Sequence, residues 1–203
     1  MNRLFVLLLL VVYCFVAAAA RPAVVHMPDG VYASPDDTTM QCLREDKRVC
    51  IGNENAARNI TDLRLNRITH VFSAIGCLLD YYQQHGILCY SETIDDTVGA
   101  TGITTLLAHT TSIIDAVLTA NPNAAVLIHC AAGMSRSATI TLAYMLYKDR
   151  ARGFDGALHE LRRVRSVVRP NPLFECVLRD YAGGKQFYEI DAQACKRQIP
   201  LLP

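Results

Sequence analysis

The residues best placed to do chemistry together are His129-Cys130-Ala131-Ala132-Gly133-Met134-Ser135-Arg136-Ser137. A short apolar run, 124–129, precedes the cysteine and has the profile of a strand buried on both faces. Residues 135–148 follow, with Ala138, Leu142, Met145 and Leu146 on one side of an expected helix. A short glycine-containing loop between a strand and a helix can turn successive backbone N–H groups into one hollow. The helix amino terminus adds unpaired donors and a positive dipole end. Such a hollow holds an oxyanion. Arg136, separated from Cys130 by five residues, can fold its planar fork over the same hollow. A thiol at the bottom of an anion hole is favoured as thiolate, and a thiolate held against phosphate accepts a phosphoryl group. The chemistry implied is phosphoester cleavage through a phosphocysteine. An alkoxide or phenolate leaves poorly, so a general acid is needed as well.

Other elements must position that loop. Segments 48–51, 68–75 and 87–90 read as strands bounded by glycines or turns. Residues 54–66 and 104–119 read as helices; in the second, Leu106, Leu107, Ile113, Ile114, Val117 and Leu118 fall at helical spacing before Asn121-Pro122-Asn123. Asp155 can cap a helix running through Val168 and ended by Pro170, and 173–188 gives a last helix weakened by Gly183-Gly184. Strands alternating with helices predict an α/β fold with a central, mainly parallel sheet flanked by helices.

His-Cys, five residues, then Arg-Ser is the signature of Cys-based phosphatases, and the form from His129 to Ala138 closely resembles the dual-specificity protein phosphatases. The resemblance covers residues 45–190. Ile68-Thr69-His70-Val71 resembles the family's second core strand, and Arg165 to Asn171, with Pro170-Asn171 followed by Phe174, resembles its later helix and turn. The resemblance implies a phosphatase-like fold, no metal and no cofactor. It implies Cys130 as nucleophile and Arg136 as phosphate clamp. The amides of Ala131, Ala132, Gly133, Met134, Ser135 and Arg136 would bind the phosphate oxygens. Ser137 would assist departure of the thiolate, Ser135 would shape the loop, and His129 would brace it. The family takes its acid from an Asp on an earlier loop. Asp95 and Asp96 are the candidates, and aligning Asp96-Thr97 and the helix ending at Ile114-Asp115 favours Asp96, although the following stretch, Val98 to Gly102, makes this loop slightly longer.

The implied substrate is a protein phosphorylated on Tyr or Ser/Thr. Alternatives keep the chemistry and change the substrate to a phosphoinositide, a glycan phosphate or an RNA 5′-phosphate. Lipid-directed relatives carry basic residues in the loop, where Ala131, Ala132 and Met134 stand; RNA-directed ones have Asn where Ser135 stands. A binding module without turnover is a further alternative, opposed by the intact Cys130, Arg136 and an available Asp. Arg162, Arg163, Arg165 and Arg169 read as a solvated helix face, and His85 and His109 as surface residues.

The chain has 203 residues, 51% hydrophobic and 19% charged, enough apolar material for one cored domain. A net charge of +1 gives no general attraction to nucleic acid or an anionic membrane. Arg3, the apolar run Leu4 to Ala20 and the small residues closing it read as a signal peptide cleaved near Ala20, or else a short membrane anchor. The expected organisation is a leader at 1–20, an irregular lead-in at 21–46, the catalytic domain at 47–190 and a tail at 191–203. The leader predicts the secretory pathway, against the cytoplasm usual for the family; membrane contact is expected only if the leader is uncleaved. Cleavage removes Cys14 and leaves seven cysteines. An odd number in a secreted protein suggests one free thiol or an intermolecular bridge, but the preferred reading is that most are reduced, buried small hydrophobes. Asn59-Ile60-Thr61 is a glycosylation sequon.

Overall fold

Successive residues of a strand face opposite sides of its sheet, and here both sides are apolar. Val49, Ile51, Phe72, Val126 and Ile128 join one core cluster; Cys50, Val71 and Leu127 join the other. The computed structural model describes residues 39–199. The expected leader and most of the lead-in lie outside the described residues.

The strands are β1 (Gln41–Cys42), β2 (Val49–Gly52), β3 (His70–Ser73), β4 (Leu88–Ser91) and β5 (Val126–His129). They form one sheet in the order β1-β2-β5-β3-β4. Only β1 runs antiparallel, against β2; the other pairings are parallel. The mainly parallel sheet expected from the sequence is therefore present. Gly52 and Ser73 both pair with His129, so β2 and β3 end level with β5 on either side. The loop after His129 thus opens at the carboxyl edge of the sheet, between two neighbours, where open α/β sheets place their ligands.

Helices α1 (Glu54–Arg58), α2 (Ile60–Leu65) and α3 (Leu79–Gln83) belong to the smaller face, around Ala56, Ala57, Leu63 and Tyr82. Helices α4 (Ile103–Ala120), α5 (Arg136–Lys148), α6 (Gly153–Val164) and α7 (Pro172–Ala182) make the larger one, packed about Leu107, Ile114, Leu142, Leu146 and Phe174. Helix α8 (Ala192–Gln198) closes the described chain.

Several boundaries depart from the sequence pattern for local reasons. The helix expected over 54–66 is two helices, because Asn59 ends the first and its side chain caps the second by accepting from the Asp62 N–H at 3.1 Å. Helix α6 stops at Val164, where Arg165 turns extended. Helix α7 stops at Ala182, before Gly183-Gly184. Strand β1 falls inside the expected lead-in and α8 inside the expected tail. Two residues of strand and about two turns of helix carry too little periodicity to be read.

Reduced, buried thiols were the preferred reading; six of them instead pair as Cys42–Cys50, Cys77–Cys89 and Cys176–Cys195. Cys130 is the free cysteine among the described residues. The odd count did carry information: one thiol is kept out of the pairing. Its sequence neighbours say nothing about pairing, because partners meet only when strands and helices pack.

Candidate active site

Cys130 follows the last residue of β5 and is 1% exposed. The loop from Ala131 to Ser135 carries the chain into α5. Its carbonyls are tied outward one after another. Ala131 O accepts from the Glu54 N–H at 3.2 Å, and Met134 O from the Arg169 N–H at 2.8 Å. Between them, Arg165 Nη2 donates to Ala132 O at 3.2 Å and Arg165 Nε to Gly133 O at 2.6 Å. Holding the carbonyls away fixes the amides toward the hollow, as an anion nest requires. The Gly133 N–H points at Cys130 Sγ, 3.2 Å away. Gly133 has φ +66°, and a Cβ there would lie 2.6 Å from Arg165 Nη2 and 2.7 Å from the Gly52 carbonyl. Only glycine permits that turn and that approach together.

The sequence pattern places Arg165 with Arg162, Arg163 and Arg169 on a solvated helix face. The four do not act alike. Arg165 is 4% exposed and lies beneath the loop. Arg162 Nε donates to Val168 O at 3.0 Å, and Arg163 pairs with Glu160 at 3.3 Å. Arg169 is exposed like Arg162 and Arg163, but its backbone N–H anchors it to the loop at Met134 O. Arg165 leaves the helix face because α6 ends one residue before it, a boundary that periodicity did not place.

The sequence-derived site residues come together. Ser137 Oγ is 3.3 Å from Cys130 Sγ, and Ser137 is fully buried. Ser135 Oγ donates to Asp96 Oδ1 at 2.6 Å. Arg136 Nε is buried without a hydrogen-bond partner and lies 3.8 Å from Asp96 Oδ2. Asp95, next in sequence, is exposed and shares none of these contacts. Asn171 is the residue whose part the sequence reading missed. Its Nδ2 donates to Asp96 Oδ1 at 2.9 Å, and its N–H donates to Ser135 Oγ at 3.0 Å. Its own Oδ1 caps α7 by accepting from the Phe174 N–H at 3.1 Å. The resemblance had drawn in Pro170-Asn171 only as a turn.

The loop bearing Asp96 is pinned at both ends. Glu92 meets His109 Nδ1 on α4, so His109 is not the free surface residue expected. Lys196 Nζ on α8 donates to Gly99 O at 2.9 Å. His129 is buried beneath the site, and burial pushes its imidazole down to about 4, offset only weakly by a polar contact with the Cys130 backbone. Neither ring nitrogen makes a full hydrogen bond. A neutral ring there packs; it carries no charge to the site near neutral pH.

Taken together, a buried thiol faces fixed amides, an arginine reaches over from the helix start, a hydroxyl stands beside the sulfur, and a carboxylate is held at the rim. That set can grip a tetrahedral oxyanion, attack it and exchange a proton with the group it loses.

Comparison with known proteins agrees. Residues 49–183 match the family described as "Dual specificity phosphatase, catalytic domain". The chain is 32% identical to dual specificity protein phosphatase 1B of Arabidopsis thaliana over 67% of its own length and 78% of the relative's. It is 24% identical to the Arabidopsis protein-tyrosine-phosphatase MKP1, of whose length it spans only 17%. Among solved structures it is similar to the Yvh1 phosphatase domain of Chaetomium thermophilum, with TM-score 0.64 and 26% identity, covering 70% of this chain and 95% of that one. The fold also matches the crystal structure of DUSP15, with TM-score 0.64 and 23% identity over 79% of this chain and 94% of that one.

Proposed function

The chain belongs to the dual-specificity phosphatase family, and from that premise we propose that it hydrolyses phosphotyrosine and phosphoserine or phosphothreonine in proteins through a phosphocysteine on Cys130. The observation that carries the reading is the arrangement of the loop, with every carbonyl from Ala131 to Met134 tied back and the Cys130 sulfur facing the amides. In the first step Sγ bonds to phosphorus while the ester P–O bond breaks. Asp96 protonates the departing oxygen, and the loop amides and Arg136 hold the three remaining oxygens. In the second step Asp96, now a carboxylate, takes a proton from water. The water oxygen bonds to phosphorus, the S–P bond breaks, and Ser137 Oγ donates to the leaving thiolate. The donor on Ser135 and the amide of Asn171 hold Asp96 at the rim for both steps.

The test is turnover of an aryl phosphate and of phosphopeptides, with Cys130→Ser as control. That variant keeps the loop donors, so it should still bind phosphate while losing turnover. Iodoacetate should alkylate Cys130 selectively, and orthophosphate should protect it. A wild-type protein that binds phosphopeptide without turnover would instead be a binding module. Loss of a phosphoinositide, glycan or RNA phosphate in preference to a phosphopeptide would reassign the substrate.

For location we infer the secretory pathway. Support comes from the apolar leader and from three disulfides, which persist in oxidising compartments. Amino-terminal sequencing of the mature protein should read from near Arg21; an intact leader on cytosolic material would reverse the assignment.

A further inference from the structure

We propose that Gln41, Arg165 and the Cys42–Cys50 disulfide form a brace that positions the phosphate loop, so that an edge strand on the far side of β2 sets the loop's affinity for an oxyanion. The inference rests on the functional reading above and adds two positioning residues, Gln41 and Arg165, and one cross-link, all outside the signature from His129 to Ser137.

The geometry runs in one line. Arg165 spends Nε on Gly133 O at 2.6 Å and Nη2 on Ala132 O at 3.2 Å. Its Nη1 donates to Gln41 Oε1 at 2.6 Å. The guanidinium is planar and rigid, so fixing one nitrogen fixes the aim of the other two. Gln41 therefore steers the fork that holds two consecutive loop carbonyls. Each of those carbonyls belongs to a peptide unit whose N–H faces the hollow. A tilt of the fork tilts the amides that must meet the phosphate, and oxyanion donors are sensitive to small misplacement.

Gln41 sits on a strand that its own pairing holds poorly. Strand β1 is two residues long and pairs with β2 only at Gln41–Ile51 and Cys42–Cys50. The second pair is the disulfide itself. The cross-link fastens β1 to the strand whose end, Gly52, packs on Gly133. The disulfide, the glutamine and the arginine thus lie between the sheet edge and the loop's outer face. Cys176–Cys195 joins α7 to α8, whereas Cys42–Cys50 joins β1 to β2, so it serves as a matched control for losing a cross-link.

The experiment measures the inhibition constant of orthophosphate, with KM and kcat on an aryl phosphate, in purified Gln41→Leu, Gln41→Glu and the Cys42→Ser/Cys50→Ser pair, alongside a thermal melt. Gln41→Leu should weaken phosphate roughly tenfold, the scale of one charge-assisted hydrogen bond, and raise KM with it. Gln41→Glu retains an acceptor for Arg165 and should restore the wild-type constant, which a merely structural role would not require. The Cys42→Ser/Cys50→Ser pair should shift the phosphate constant in the same direction. Cys176→Ser/Cys195→Ser should lower the melting temperature and leave that constant where it was. If Gln41→Leu melts cooperatively and binds phosphate like wild type, the brace is overturned while the phosphatase reading stands. If both disulfide variants weaken phosphate equally, the effect is general stability and the brace is again overturned. A wild-type protein that neither binds phosphate nor turns over an aryl phosphate would overturn the functional reading itself.

Discussion

Asp96 and Asp95 are adjacent and both exposed, yet Asp96 alone accepts from Ser135 and Asn171 and faces Arg136. A general acid matters in proportion to the basicity of the oxygen it protonates. Asp96→Asn should therefore slow a phosphoserine peptide most, a phosphotyrosine peptide less and an activated aryl phosphate least, within the usual cost of about a hundred- to ten-thousand-fold. Asp95→Asn should change little. Steady-state rates on the three substrates decide it: a leaving-group-dependent loss in Asp95→Asn instead would move the acid by one position. His129 makes a different kind of prediction. In the unfolded chain its imidazole takes a proton near 6.5, but in the buried site only near 4. Between those values the unfolded state binds the extra proton. Stability from a neutral His129 is complete above about pH 6.5 and is lost as pH falls toward 4, by up to the order of 3 kcal/mol. Denaturant melts across that window should flatten in His129→Gln relative to wild type; equal slopes would mean the ring titrates normally in the fold.

At the scale of elements, the amino end of α7 serves two masters. Asn171 caps the helix with its Oδ1 and holds Asp96 with its Nδ2. Asn171→Asp keeps a good cap, since a carboxylate oxygen can still accept from Phe174 and suits the helix dipole. It also replaces the donor facing Asp96 with a like charge. Stability should stay near wild type while turnover of phosphopeptides with poor leaving groups falls, and aryl phosphate turnover falls less. A parallel loss of melting temperature and of all activities would show that only the cap mattered. Helix α2 shows the same economy on the other face. Asn59 caps it through Oδ1 and is also the asparagine of the sequon, whose glycan would attach at Nδ2 and leave the capping acceptor in place.

At the scale of the whole molecule, the three disulfides among the described residues close stretches with sequence separations of 8, 12 and 19. Chain-entropy arguments assign about 3 kcal/mol to a cross-link of this size. Dithiothreitol supplies two electrons and two protons per disulfide and closes to its own cyclic form. In a Cys130→Ser background, where the nucleophile cannot complicate the result, full reduction should lower the melting temperature by more than ~10 °C. Thiol titration of unreduced, denatured wild-type protein should find one thiol if the leader is removed and two if Cys14 remains. A count of seven or eight would show the cysteines reduced and sink the cross-linked description. A reductant added to protect the nucleophile would therefore act against the scaffold that holds it.

What the sequence determined by itself was the family and the strand-loop-helix element that carries its signature. An apolar run ending in His129-Cys130, a glycine loop and Arg136 at a helix start are all local. Their spacing alone dictates a thiol in an amide nest, because backbone geometry over ten residues leaves little choice. The alternation of strands and helices likewise fixed the α/β class, since each period reflects which face must be buried. The tertiary structure decided what depends on distant segments meeting. It brought Ser135 and Asn171 to Asp96 and not to its neighbour Asp95. It put Arg165 under the phosphate loop instead of in solvent, because α6 ends at Val164, four residues before the Val168 end that its sequence pattern suggests. It paired six cysteines and left Cys130 alone, because a disulfide requires two backbones to approach in the right orientation, and no spacing along the chain encodes that approach.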